Sequence, residues 1–379
     1  MLISRAPFLG LLALAVGACA LAPLTPAPTQ ATGTALPALV TATATPGPPT
    51  PTPVQLPVTW AGLNLTGSLV FLTATGSLES NTGLAPILAQ LDLRTGALRT
   101  LFAAPPGALL SSGSLAPDGT QLALAYAPPT ANGEIQYGYL GIYLLPGDGQ
   151  GEPRAILDQT QDKHAYFQPT WSPDSAYIYY THYDPHLDAN GYYTSTYTVE
   201  RWDVPAGRAE TIVAGAYWPR LSDDGRQLAY VTLDATNTHN ELYVAGPEGQ
   251  AARRLDLPAS LIIDVPLFSP DGQWIYFSAA DLSFPARNWL DRLWGVQTAE
   301  AADNPHSLPA DWWRVPTAGG PAEQIIPLYG TALYGAFSPD GRHLAFVSGE
   351  GVYVVDPTGQ NLTALVTEVP LVGTLDWRP

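Results

Sequence analysis

One short motif, repeated along the chain, limits what it can fold into more than any other feature. It reads Ser114-Leu115-Ala116-Pro117-Asp118-Gly119, Thr170-Trp171-Ser172-Pro173-Asp174-Ser175 and Arg220-Leu221-Ser222-Asp223-Asp224-Gly225. Two more copies follow, Leu267-Phe268-Ser269-Pro270-Asp271-Gly272 and Ala336-Phe337-Ser338-Pro339-Asp340-Gly341. Successive aspartates lie 56, 50, 47 and 69 residues apart. The chain stops at Asp376-Trp377-Arg378-Pro379, a further copy cut at its proline. Repeats of roughly 40 to 50 residues belong to propeller-type arrays, whose units bury their faces against one another.

Each copy has a physical logic. Proline presets φ for a turn, aspartate accepts hydrogen bonds from nearby backbone N–H groups, and glycine takes positive φ. Four residues past the aspartates stand Leu122, Ile178, Leu228, Ile275 and Leu344; six past stand Leu124, Tyr180, Tyr230, Phe277 and Phe346. That period of two puts them on one face of a strand. Three residues before the aspartate comes another bulky residue: Leu115, Trp171, Leu221, Phe268 or Phe337. The unit is strand, tight turn, strand. A second hairpin follows in each repeat, as in Leu242-Tyr243-Val244 to Gly249. Second hairpins number six and first hairpins five, plus the orphan C-terminal strand. Ring closure reconciles the counts: the strand around Trp377 pairs inside the first blade with Ser68 to Ala74, leaving only short edges. The expectation is an all-β fold, a six-bladed propeller with four-stranded blades, closed by the C-terminal strand.

The Phe/Trp-Ser-Pro-Asp-Gly-x-x-Ile/Leu-x-Phe/Tyr element, followed by Ile/Leu-Tyr-Val and a glycine turn, resembles the WD40-like (PD40) repeat of the TolB family of periplasmic propellers. Similar repeats occur in prolyl oligopeptidases and other bacterial lipoproteins. The resemblance covers about Trp60 to Pro379 and implies the fold; propellers host many activities, so it implies function weakly. TolB proper carries an extra α/β domain ahead of its propeller, whereas here a stalk stands in that place.

The N-terminus supplies an address. Arg5, the apolar run Ala6 to Val16, and Val16-Gly17-Ala18-Cys19 form the layout of a secretory signal. This stretch resembles the lipobox of bacterial lipoproteins, which implies acylation of Cys19. The alternative is an ordinary secretion signal that contains a cysteine; a lone free thiol in an oxidising compartment argues for lipidation. From Ala20 to about Pro57 the chain is mostly Pro, Thr, Ala and small apolar residues, a composition that favours a disordered stalk with polyproline II character. The expected organisation is signal peptide 1–18, stalk 19–57 and propeller 58–379. One cysteine in 379 residues excludes an intramolecular disulfide framework, and a net charge of −17 argues against nucleic-acid partners. The expected product is a monomeric, extracytoplasmic lipoprotein on the cell surface or in the periplasm, held to its membrane by the lipid anchor.

No Gly-x-Ser-x-Gly elbow occurs, which argues against a prolyl oligopeptidase activity. The repeated aspartates belong to separate turns. Two insertions carry the candidate binding residues. In the third repeat, His182, Asp184, His186 and Asp188 alternate along a hairpin end; they suit either a solvated tip or, with a further ligand from elsewhere, zinc. In the fifth, Pro285 to Trp294 reads as a short helix bearing Trp289 and Trp294 on one face, either packed on the propeller or exposed to a partner. No resident metal or cofactor and no catalytic residue is assigned. The expected function is a non-catalytic binding or scaffolding module for a protein, peptide or glycan of the cell envelope. The competing reading is a propeller-based carbohydrate-active enzyme of lyase or glycosidase type.

Overall fold

The repeated turns close through bonds that their own side chains make. Ser172 Oγ donates to Asp174 Oδ1 at 2.6 Å, and that oxygen also accepts the Ala176 N–H at 3.1 Å. Ser172 Oγ then accepts the Tyr177 N–H at 2.9 Å, fastening the next strand to the turn. The same set recurs around Asp224, Asp271 and Asp340. Where Ala116 replaces serine, Asp118 accepts from the N–H and hydroxyl of Thr120 instead. The residue after each aspartate is left-handed, with φ between 67° and 72° at Gly119, Gly225, Gly272 and Gly341 and 58° at Ser175. Left-handed backbone is close to free for glycine and costs other residues about 1–2 kcal/mol.

The computed structural model describes residues 53–75, 85–132, 139–158, 164–187, 189–233, 239–283, 308–331, 333–367 and 373–379. Strands β1 (Val54–Gln55), β2 (Ser68–Thr75), β3 (Ala85–Asp92) and β4 (Ala97–Ala103) begin the first blade. Blade 2 holds β5 (Leu109–Leu115), β6 (Gln121–Ala127), β7 (Gly141–Pro146) and β8 (Arg154–Leu157). Blade 3 holds β9 (Ala165–Trp171), β10 (Tyr177–Leu187), β11 (Tyr193–Asp203) and β12 (Arg208–Ala214). Blade 4 holds β13 (Ala216–Leu221), β14 (Leu228–Leu233), β15 (Asn240–Ala245) and β16 (Arg253–Arg254). Blade 5 holds β17 (Leu261–Phe268), β18 (Trp274–Asp281), β19 (Ala310–Pro316) and β20 (Glu323–Gly330). Blade 6 holds β21 (Tyr334–Phe337), β22 (Leu344–Ser348), β23 (Gly351–Val355) and β24 (Thr363–Thr367), before the closing strand β25 (Leu375–Arg378).

Each blade is an antiparallel meander, and the ring closes as the sequence predicts. β25 pairs with β2, Trp377 opposite Leu69 and Leu375 opposite Phe71. The first blade differs from expectation by one strand. Its order is β1-β4-β3-β2-β25, because Val54 and Gln55, assigned to the stalk on composition, pair with Leu98 and Ala97. Just beyond, Trp60 is buried and its indole N–H donates to the Leu93 carbonyl at 2.7 Å. Among the described residues no helix is long and apolar enough to cross a membrane.

The core is divided among the six interfaces between neighbouring blades, each with its own apolar cluster. The positions four and six past the turn aspartates are buried in every copy. So are residues between them, among them Ala123, Tyr179, Ala229, Tyr276 and Ala345. The second strand of each blade is thus covered on both faces, as a layer between two others must be. Tyr179 and Tyr276 use their hydroxyls to latch onto the following blade, donating to the Pro247 and Pro357 carbonyls at 3.0 and 2.9 Å. At the closure, Gly67 has φ of 81°, and a Cβ there would meet the Arg378 carbonyl oxygen at 2.1 Å. Only glycine lets the two strands approach so closely.

Two predictions follow from these contacts. Trp377 fills the seam between the first and last blades and donates its indole N–H to the Thr66 carbonyl at 2.9 Å. Trp377→Ala should cost about 3–5 kcal/mol in denaturant unfolding, the range for losing a buried aromatic side chain; a loss under about 1 kcal/mol would contradict closure through this strand. The Ser172, Ser222 and Ser338 hydroxyls hold the Asp174, Asp224 and Asp340 carboxyls below their usual pKa, aided by backbone N–H groups. The unfolded chain therefore binds these protons first as pH falls. The stabilisation is complete above about pH 4 and is lost as pH drops through the folded values, which lie lower. Melting temperature followed from pH 6 to pH 2 should decline below about pH 4, and Asp174→Asn should shrink that decline.

Candidate functional site

The innermost strands of the six blades surround a central channel. β9, β13 and β17 each carry a register shift next to an X-Pro pair: Gln168-Pro169, Trp218-Pro219 and Val265-Pro266. Gln168, Trp218 and Val265 take left-handed φ of 50°, 55° and 43°. Such backbone is costly for non-glycine residues and collects at functional sites. Here these three residues line a waist of about 40 Å³. Trp218 of blade 4 and Tyr334 of blade 6 meet there edge to face, ring centroids 5.7 Å apart. Burial, and behind it the Asp264 carboxylate, hold the Tyr334 phenol far above its usual pKa, so it lines the channel as a neutral group.

The waist separates two wider spaces. On the side of the Ser-Pro-Asp-Gly turns lies a pocket of about 300 Å³. On the other side lies one of about 260 Å³, bordered by Leu110, Ser111, Phe167 and Gly373. The turn-side mouth concentrates charge. Asp376 on the closing strand is buried, and its Oδ2 accepts from Ser114 Oγ at 2.7 Å, the Leu115 N–H at 3.3 Å and Arg378 Nη2 at 3.2 Å. Arg220 Nη1 approaches Asp376 Oδ1 at 3.9 Å. Asp223 stands at the rim in the place that proline takes in the other copies. Its side chain meets solvent, yet the surrounding protein desolvates the carboxyl enough to raise its pKa despite the pull of Arg220 and Arg378.

These four charged residues were not singled out in the sequence, although a signal was present. Aligned on the motif, Arg220 and Asp376 occupy a position that is Ser114, Thr170, Leu267 or Ala336 elsewhere. Arg378 replaces serine or alanine, and Asp223 replaces proline. Departures from a repeat, at positions facing the axis, mark residues the fold itself does not require.

The candidates from the third repeat fall on the β10–β11 hairpin of blade 3. His182 is half-buried and central to a chain of bonds rather than free at a tip. Its Nδ1 lies 2.9 Å from Glu200 Oε1, and its Nε2 lies 2.9 Å from His164 Nδ1. Glu200 Oε2 accepts from the Tyr180 hydroxyl at 3.0 Å. With both imidazoles neutral the chain is self-consistent: His182 Nδ1–H donates to Glu200, and His164 Nδ1–H donates to His182 Nε2. Asp184 Oδ1 sits 3.5 Å from His164 Nδ1. His186 is exposed, its Nδ1 lying 3.1 Å from the Asp184 backbone carbonyl. Among the described residues no group of three His, Cys, Asp or Glu is arranged to hold a metal ion. Cys19, Asp188, Trp289, Trp294 and the segment read as a helix lie outside the described residues.

Comparison with solved structures places this geometry among known folds. TolB from Acinetobacter baumannii superposes with a TM-score of 0.58 at 15% identity, covering 83% of this chain and 67% of that one. A chain from a nidogen/laminin complex gives 0.54 at 11% identity, covering 82% and 98% respectively. An oligogalacturonate lyase in complex with manganese gives 0.47 at 11% identity, covering 75% and 73%. No family model matches the sequence, and no curated protein does. The likeness is one of fold: this is a TolB-like six-bladed β-propeller.

The histidine chain yields a stability prediction. Glu200→Ala leaves the hydroxyl of fully buried Tyr180 and the Nδ1–H of His182 without their acceptor. An orphaned buried donor costs about 1–3 kcal/mol. Urea unfolding should show a loss in that range, and an unchanged midpoint would mean that the pair is solvated.

Proposed function

We propose that the protein is an extracytoplasmic propeller, anchored to its membrane through a lipid on Cys19, which binds a protein, peptide or glycan ligand at the turn-side channel mouth without transforming it. The observation that carries this reading is the mouth itself: a pocket of about 300 Å³ lined by charged, polar and apolar side chains together, narrowing below at the waist. Sites for small ligands and inserted side chains are concave, with convergent polar groups that fix the orientation of what enters. The rigid ring holds those groups in place before any ligand arrives, which limits the ordering cost of binding.

The non-catalytic part of the reading has its own support. A glycosidase needs two carboxyl groups flanking the scissile bond. Of the residues lining the mouth, Asp223 and Asp376 carry carboxyls, and Asp376 is already held by Ser114, Leu115 and Arg378. A carboxylate so occupied is poorly placed to move protons.

Fractionation tests the address. The wild-type chain should sediment with membranes and Cys19→Ser should be released in soluble, folded form; membrane retention of Cys19→Ser would contradict the anchor. Binding is tested by crosslinking the full chain in intact cells. Pro339→Trp fills the rim at a place where Asp223 shows that proline is dispensable, and it should abolish capture of any partner seated in the mouth.

A further inference from the structure

We propose that Arg220 and Arg378 form a two-pronged receptor for a carboxylate, carried by a polypeptide segment seated in the channel mouth. The inference rests on the reading of that pocket as the binding site and adds the chemistry of what enters it. Guanidinium groups offer five N–H donors each in a fixed fork, a geometry that matches carboxylates. At this mouth most of those donors are unspent. Arg378 gives Nη2 to Asp376, while its Nε is buried and without a hydrogen-bond partner among the described residues. Arg220 faces the same space, and its approach to Asp376 is long, at 3.9 Å. The Arg220 side chain keeps 30% of its surface exposed, so its guanidinium is open to an acceptor that a ligand supplies.

Charge balance points the same way. Asp376 is one carboxylate against two guanidiniums, and Ser114 and Leu115 already draw on its lone pairs. The second negative group, Asp223, stands at the rim, where Arg220 and Arg378 both pull on it, and it competes with a ligand for them. Desolvation disfavours its charged form. The chain as a whole carries −17, so an acidic ligand would be repelled by most of its surface and admitted at this mouth.

The walls favour polypeptide over acidic sugar. Glycan sites commonly present flat aromatic faces for stacking on sugar rings, with indole or phenol edges in water. Here the two tryptophans of the mouth are wedged between blades, with Trp171 donating its indole N–H to the Ser114 carbonyl and Trp377 to that of Thr66. The apolar part of the rim is proline and part of Phe337, a surface for apolar side chains.

The test is NMR titration of the full-length Cys19→Ser chain with four probes: N-acetyl-triglycine, its C-terminal amide, N-acetyl-glutamate α-methylamide (side-chain carboxylate free) and glucuronate. The first and third distinguish a chain-terminal from a side-chain carboxylate. At least one of those two should shift the Arg220 and Arg378 Nε–Hε resonances, and the amide should not. Arg220→Gln should weaken the response by about tenfold or more, as loss of a charge-assisted bond implies. Asp223→Asn removes the competing carboxylate and should strengthen it by about threefold or more. Equal binding of acid and amide, or no effect of Arg220→Gln, overturns the carboxylate receptor. Binding of glucuronate alone overturns its polypeptide part. If the carboxylate probes fail while Pro339→Trp still abolishes partner capture, the mouth stands as the binding site and only its proposed chemistry falls. If neither variant alters capture, both readings fall.

Discussion

The pairing of the last strand with the first blade is the contact on which the rest of the molecule depends. A ring of blades has no free end only if its two ends meet, and here they meet through a ladder of four residues on each strand, Ser68–Phe71 against Leu375–Arg378. The closing strand is also tied to the next blade, because Thr374 Oγ1 donates to the Gly113 carbonyl and Asp376 accepts from Ser114 and Leu115. Trp60, from the segment leading into blade 1, adds a second plug to the same seam. Since every blade is covered on both sides, loss of closure uncovers two apolar faces at once, those of blades 1 and 6.

Closure and the proposed binding function share one residue. Asp376 ties the closing strand to blade 2 and shapes the electrostatics of the mouth, so the channel chemistry is built onto the lock of the ring. Hydrogen bonds from the Ser114 hydroxyl and the Leu115 amide serve the buried Asp376 carboxyl at the axis without a full ion pair on each oxygen. That leaves the arginines beside it with donors to spare. The strained waist below, with Gln168, Trp218 and Val265 in left-handed backbone, narrows the channel beneath the pocket. Backbone strain of this kind survives only where the surrounding packing over-determines it.

Much of the fold was legible because its determinants are local. Ser-Pro-Asp-Gly encodes its own turn, and the bulky residues four and six places on encode the buried strand. The truncated copy at Asp376-Trp377 revealed the closure because it lacked a partner of its own. What escaped was set by long-range pairing. Val54 and Gln55 form a strand only because the edge of β4 is there to receive them, and nothing in a Pro/Thr-rich run announces that. His164, His182 and Glu200 are 18 residues apart in turn, a separation longer than any strand of this fold, so no local pattern links them. Adjacent strands in one sheet bring them together. The alternation around His182 was visible, but the choice between a solvated tip and a bonded network needed Glu200 and Tyr180 across the ladder. The arginines of the mouth were hidden for the opposite reason: they depart from a pattern that the eye reads for agreement.

Native-state hydrogen exchange would test the closed ring most directly. The amides of the β2–β25 ladder should exchange with the same opening free energy and denaturant dependence as the slowest amides of β6, deep in blade 2, because the seam opens only when the whole ring does. Exchange of the 375–378 amides through a separate, low-energy opening, with β6 still protected, would show that the blades hold together without their lock.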